Sequence, residues 1–238
     1  MEGDLILLMD KDDNNLHIET VGDECVSAVL DGRVLYKDGR WNTLCLPFDI
    51  ADFEGTPLKE AIVKELDVST SAYDDKTGIL TLSFSDALTS IEAGKPYLVK
   101  WSDGENIINP SFANVSITCT TPQTIQGTKV SFIGTYSPAM LVGGWRNLYM
   151  GSSNKLYYPG DEGYQVNAFR GYFAVDTNEE VKTIFLNLDD DDTDIVQDVE
   201  TRGNGENALW YDLSGRRITQ EPIMAGVYIY KGRKIIVK

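Results

Sequence analysis

This sequence predicts an all-β fold, an antiparallel β-sandwich with a small β-hairpin appendage at its C-terminus. Three observations carry that expectation. Apolar and polar residues alternate with period two in many short stretches, apolar stripes at helical spacing are scarce, and Gly, Asp, Asn and Pro turn signals separate the stretches. Taken in order, strands are expected at residues 16–21, 41–48, 62–66, 80–84, 96–101, 115–119, 130–136, 148–150, 166–175 and 181–188. Leu80-Thr81-Leu82-Ser83-Phe84 shows the pattern well, with apolar side chains on one face and hydroxyls on the other, as a half-buried strand requires. Ahead of it, Asp74-Asp75-Lys76-Thr77-Gly78 reads as a hairpin turn, with Gly78 free to take a positive φ. Further turns are marked by Asp31-Gly32, Lys37-Asp38-Gly39, Ser102-Asp103-Gly104, Gly143-Gly144 and Pro159-Gly160. A short helix is considered only at 58–64.

The chain has 238 residues, enough to bury a core without disulfides. Its composition divides it into a body at 1–189, forming one sandwich or two packed subdomains, an acidic and Gly-rich linker at 190–207, and a C-terminal β segment at 208–238. The composition changes at Asp189-Asp190-Asp191-Asp192-Thr193-Asp194, where adjacent like charges repel and favour a solvated chain. Beyond it the charge reverses. Residues 201–238 hold seven Lys and Arg against three Asp and Glu, a net +4 on a chain of formal charge −16. Within the segment, 227–230 and 234–237 are expected to form a hairpin and 209–213 a third strand. Three such strands bury a face only if something covers it.

That net charge argues against nucleic acid and gives no expectation of a polyanion partner, because phosphate binding rests on clustered cations. No apolar run approaches the length of a membrane-spanning helix, so no membrane insertion is expected. Leu5-Ile6-Leu7-Leu8-Met9 follows Glu2 and Asp4 and is too short for a signal peptide; either the chain stays inside or a leader has been removed. Cys25, Cys45 and Cys119 are an odd, widely spaced set, read as buried apolar residues or as one pair plus a free thiol.

Catalytic patterns are sparse. His17 is the single histidine, and a nucleophilic triad needs a base beside Ser or Cys. No Walker, GxGxxG, HExxH or GxSxG pattern occurs, and whether two of the 37 Asp and Glu form a glycosidase dyad cannot be read from sequence spacing. No catalytic residue and no cofactor are expected. Asp10, Asp12 and Asn14 occupy positions 1, 3 and 5 of a calcium-type loop, but Asn15 stands where Gly is needed and Val21 where a bidentate Glu would sit. Calcium and a plain hairpin turn are therefore both open readings. The best binding candidates are Trp145, Tyr149, Tyr157, Tyr158 and Tyr164, crowded among Gly, Ser and Asn, a mixture that can stack on sugar rings and bond their hydroxyls. The competing reading has these rings filling the core.

The C-terminal blocks are distinctive: Tyr211-Asp212-Leu213-Ser214-Gly215-Arg216, then Ala225-Gly226-Val227-Tyr228, then Gly232-Arg233-Lys234 close to the last residue. They resemble the short sorting-type tail, type IX secretion-like, of secreted and surface proteins of the Bacteroidetes, with Arg233 in place of the first Lys of the final block. Three upstream blocks resemble an uncharacterised β module of the same proteins: Trp41-Asn42-Thr43-Leu44-Cys45-Leu46-Pro47-Phe48, Glu92-Ala93-Gly94-Lys95-Pro96-Tyr97-Leu98-Val99-Lys100-Trp101 and Val166-Asn167-Ala168-Phe169-Arg170-Gly171-Tyr172-Phe173. The resemblance implies an extracellular or cell-surface location, upstream domains of a longer chain, contact with secretion machinery, and no particular activity. Together these readings point to a non-enzymatic structural or interaction module. Alternatives are a carbohydrate-binding or adhesive sandwich and, behind it, an accessory domain of a glycoside hydrolase.

Overall fold

The computed structural model describes residues 4–151, 154–188, 195–198, 210–212, 217–218, 226–230 and 233–237. Among the described residues strands make up 45% and helix 4%, which places the chain in the all-β class. The chain divides into two compact units, Met1–Val199 and Glu200–Lys238.

In the first unit, the clearest alternation builds the largest sheet. Its strands run in the order Thr124–Gln126, Val130–Gly134, Gly171–Val175, Asn147–Met150 and Leu156–Tyr157, all antiparallel. Register sets Phe132 opposite Phe173, and their rings stack with centroids 4.4 Å apart and planes 12° apart. The hairpin predicted at 74–78 is present: Ala72–Asp74 pairs antiparallel with Ile79–Ser83, and Gly78 sits at φ +73°. The Asp74 carboxylate ties the turn, accepting from the Lys76 amide at 2.9 Å and the Thr77 hydroxyl at 2.8 Å. These bonds hold its carboxyl below the usual range.

Three features depart from the predicted sandwich. Thr183–Asn187 runs parallel to Ile79–Ser83, and Asp4–Met9 runs parallel to Cys25–Asp31, so the strands are not uniformly antiparallel. A crossover is needed between parallel neighbours, and the helix Asn15–Val21 supplies it where a strand at 16–21 is predicted. Seven residues are too few to separate the two periods. Ile18 is buried and Val21, three residues on, packs against the same core, while Leu16 is 76% exposed. Gly22, at φ +57°, closes the helix by donating its amide to the Ile18 carbonyl. The stretch 58–64, in contrast, turns and then enters the strand Ile62–Lys64.

The third departure concerns layering. Six separate sheets make up the first unit among the described residues, and they enclose two apolar cores. Pro96–Lys100 is the middle strand between Asn42–Cys45 and Ile62–Lys64. Its Tyr97 and Val99 enter the core that holds Phe48, Trp101 and Phe112. Leu98 enters the one that holds Phe132, Phe173 and Leu186. This small sheet is thus covered on both faces, which accounts for its almost unbroken burial. Two facing sheets would bury only one face of each.

The predicted linker 190–207 also changes. Ile195–Asp198 is a strand antiparallel to Thr183–Asn187 and belongs to the first unit, because Ile195 and Val196 can continue a sheet that the aspartate run precedes. The second unit contains a four-stranded antiparallel sheet, ordered Arg217–Ile218, Trp210–Asp212, Gly226–Tyr230 and Arg233–Val237. Of the residues expected to form a sorting-type motif, Tyr211 and Asp212, Gly226 and Tyr228, and Lys234 lie on three of these strands. Leu213, Gly215, Arg216 and Gly232 lie outside the described residues.

Candidate functional site

A groove of about 450 Å³ opens on the first unit, within the size range of small-ligand sites. Its walls come from three stretches distant in sequence: 33–43, 149–151 and 164–171.

Gly32, at φ +82°, ends the strand Cys25–Asp31, and the next residue, Arg33, turns into the interior with only 4% of its surface exposed. One guanidinium nitrogen, Nη2, donates to the Thr43 carbonyl at 2.7 Å, but its buried Nε–H has no acceptor. The segment that follows is pinned at both ends. The Tyr36 amide donates to Asn42 Oδ1 and Asn42 Nδ2 donates back to the Tyr36 carbonyl, each at 2.9 Å. The amide of Trp41 donates to Asn154 Oδ1 at 2.8 Å. Between these anchors Arg40 projects outward and pairs with Asp38.

The opposite wall is held by Asp10. Its carboxylate is buried and accepts from Arg170 and from Asn167 Nδ2, the latter at 2.8 Å. Arg170 Nη1 also donates to the Ala168 carbonyl at 2.9 Å. Phe169, fully buried, takes a left-handed φ of +56°. This kink divides the predicted strand 166–175 into Tyr164–Val166 and Gly171–Val175 and directs Arg170 to the groove.

The aromatic candidates separate into two groups. Tyr149 and Tyr164 stack face to face, 3.6 Å between centroids and 4° between planes, and both line the groove. Tyr157 leans on Tyr149 at 5.9 Å. A Cβ at Gly151 would lie 2.3 Å from the Tyr157 ring, so glycine there permits the close approach. Trp145 and Tyr158 form a separate edge-on pair at 5.1 Å. The Tyr158 hydroxyl accepts from the Val181 amide at 3.0 Å, and burial pushes its pKa up to about 12. That pair lies outside the groove lining: both rings are half-buried, and Tyr158 packs against the second core.

The calcium-type arrangement is not built. Asp10 turns to Arg170 and Asn167. Asn14 accepts from the Met9 amide and donates to the Met9, Asp12 and Tyr136 carbonyls, tying down the start of the helix. Asp12 is exposed. Among the described residues no group of three His, Cys, Asp or Glu converges on a metal position. His17 is exposed on the helix, and the three cysteines are unpaired, with Cys25 exposed rather than buried. No helix among the described residues is long and apolar enough to cross a membrane.

Sequence reasoning found Tyr149 and Tyr164 but missed Arg33, Arg40, Trp41 and Arg170. One signal was available. Residues 1–200 contain only four arginines, at 33, 40, 146 and 170, and three of them line this groove. Comparison with known proteins gives no match, whether to a family model, a curated protein or a solved structure.

Proposed function

We propose that the first unit is a non-enzymatic carbohydrate-binding module, carried by an exported surface protein. The observation that carries this reading is the stacked Tyr149–Tyr164 pair on the wall of the groove. Tyr164 is 41% exposed and its apolar ring suits the C–H face of a sugar, while the arginines of the lining supply donors for its hydroxyls. Among the described residues the groove lining contains no Asp, Glu, His, Ser or Cys. A glycosidase needs two facing carboxyl groups, and the one buried carboxylate close by, Asp10, is occupied by Arg170. This chemistry supports holding a sugar rather than cleaving it. The likeness of the C-terminal blocks to a sorting-type tail supports export, with upstream domains and secretion machinery as partners.

Tyr164→Ala is expected to weaken glycan binding about tenfold, the effect of roughly 1.4 kcal/mol of lost stacking and ring burial. A glycan array followed by titration calorimetry on the best hit measures it. Binding that is indifferent to this change would place the ligand elsewhere, and an array without hits would remove the reading.

A display or spacer module is the second reading, favoured by the strand Asp4–Met9. It forms an edge of its sheet and leaves Leu5 66% and Leu7 49% exposed, a surface suited to packing against a neighbouring domain.

A further inference from the structure

Arg33 is the feature that the carbohydrate reading leaves unexplained. A buried cation is costly unless a carboxylate pairs with it, and here the nearby carboxylates are taken. Asp10 serves Arg170 and Asn167, and Asp38 serves Arg40. Among the described residues Arg33 enters no ion pair, and its only hydrogen bond from the guanidinium goes to the Thr43 carbonyl. Among the described residues Arg33 is therefore a buried guanidinium with no carboxylate bonded to it, in a chain that is strongly acidic overall. Burial and, after it, the Arg170 charge push the Arg33 pKa down to about 9, with Asp10 opposing. At neutral pH the group is still protonated.

We infer that the groove binds an anionic saccharide, one sugar carboxylate or sulfate accepting hydrogen bonds from Arg33 while the ring rests against Tyr164. This rests on the carbohydrate reading and narrows it to a ligand class. Arg33 is part of the groove lining, its guanidinium donates to a single carbonyl, and its buried Nε–H is left without a partner; a guanidinium binds planar and tetrahedral oxyanions through paired N–H groups. Arg40, half exposed and paired with Asp38, adds a second guanidinium to the lining. The site is suited to a single anionic group on a sugar, which is compatible with a net charge that repels extended polyanions.

The test uses the full chain on an array carrying neutral, uronate-bearing and sulfated glycans, with Arg33→Met, Arg33→Lys, Arg40→Met and Tyr164→Ala run alongside. Acidic glycans should be the strong hits, and the carboxylate and sulfate arms identify which oxyanion is recognised. Arg33→Met should lower their binding at least tenfold and bring it to the level of the neutral counterparts. Arg33→Lys, which keeps the charge but lacks the fork, should not restore it. Arg40→Met, at an exposed position, should weaken acidic binding severalfold without affecting the fold. Because Arg33→Met removes a buried charge with no carboxylate bonded to it, its melting temperature without ligand should equal or exceed that of the parent. A purely structural arginine would instead lower it. Hits that are neutral glycans sensitive to Tyr164→Ala would overturn the anionic inference and leave the carbohydrate reading intact. So would acidic binding that survives Arg33→Lys and Arg40→Met. Absence of any glycan hit would overturn both.

Discussion

Phe173→Ala is expected to cost about 4 kcal/mol of unfolding free energy, the upper part of the range for deleting a buried phenyl ring. Phe173 has no exposed surface and lies on the middle strand of the five-stranded sheet. It stacks on Phe132 at 4.4 Å and receives the edge of Phe84 at 6.3 Å. Phe132 is fixed opposite Phe173 by the pairing of their strands, which limits how far its ring can move into the void, so most of the cavity would persist. A urea titration followed by tryptophan fluorescence should show the midpoint falling with the slope unchanged. Phe173→Leu, which keeps most of the volume, should cost about 1.5 kcal/mol or less. A cost near 1 kcal/mol for the alanine variant would mean that this cluster is not the organising core.

The second large effect is expected at Asp10. Removing its carboxylate in Asp10→Ala leaves the Arg170 guanidinium and the Asn167 amide without their acceptor, beside an Arg33 that is already unpaired. Breaking a buried pair from one side costs about 3–5 kcal/mol. The Arg170 side chain retains 21% exposure against 4% for Asp10, so water can partly replace the lost partner and about 3 kcal/mol is expected. Asp10→Asn keeps one acceptor oxygen and should fall in between. Thermal unfolding by calorimetry distinguishes the three proteins. The same variant should perturb the groove as well as stability, because Asp10 holds Arg170 in place. A calcium ligand would behave differently: its variants would matter only when the metal is supplied.

Asp10 also illustrates where sequence reading fails. Its spacing to Asp12 and Asn14 suggested a calcium-type loop, since oxygen atoms two residues apart are what such a loop requires. The partners it acquires, Asn167 and Arg170, lie more than 150 residues away, beyond any local pattern. Residues 16–21 failed for a different reason. Leu16, Ile18 and Thr20 satisfy a strand pattern as well as Ile18 and Val21 satisfy a helical one, and only the parallel pairing of the flanking strands requires a crossover there. The aromatic cluster was half legible. Five rings within 20 residues are visible in the sequence, but which of them face a groove depends on the turn through Gly151 and on the hydroxyl bond that takes Tyr158 to Val181.

What the chain determined by itself is therefore whatever depends on neighbours within a few residues. The all-β class comes from period-two alternation, and the Asp74–Gly78 turn from a carboxylate that accepts from the Lys76 amide and the Thr77 hydroxyl and a glycine that tolerates positive φ. Tertiary structure decided the parallel pairings, the sheet buried on both faces, and the meeting of Arg33, Arg40 and Arg170 beside Tyr149 and Tyr164. Those arrangements rest on contacts between segments far apart along the chain. Such contacts form when apolar faces find mutual cover and buried charges find counter-charges, and neither condition leaves a periodic trace in the sequence.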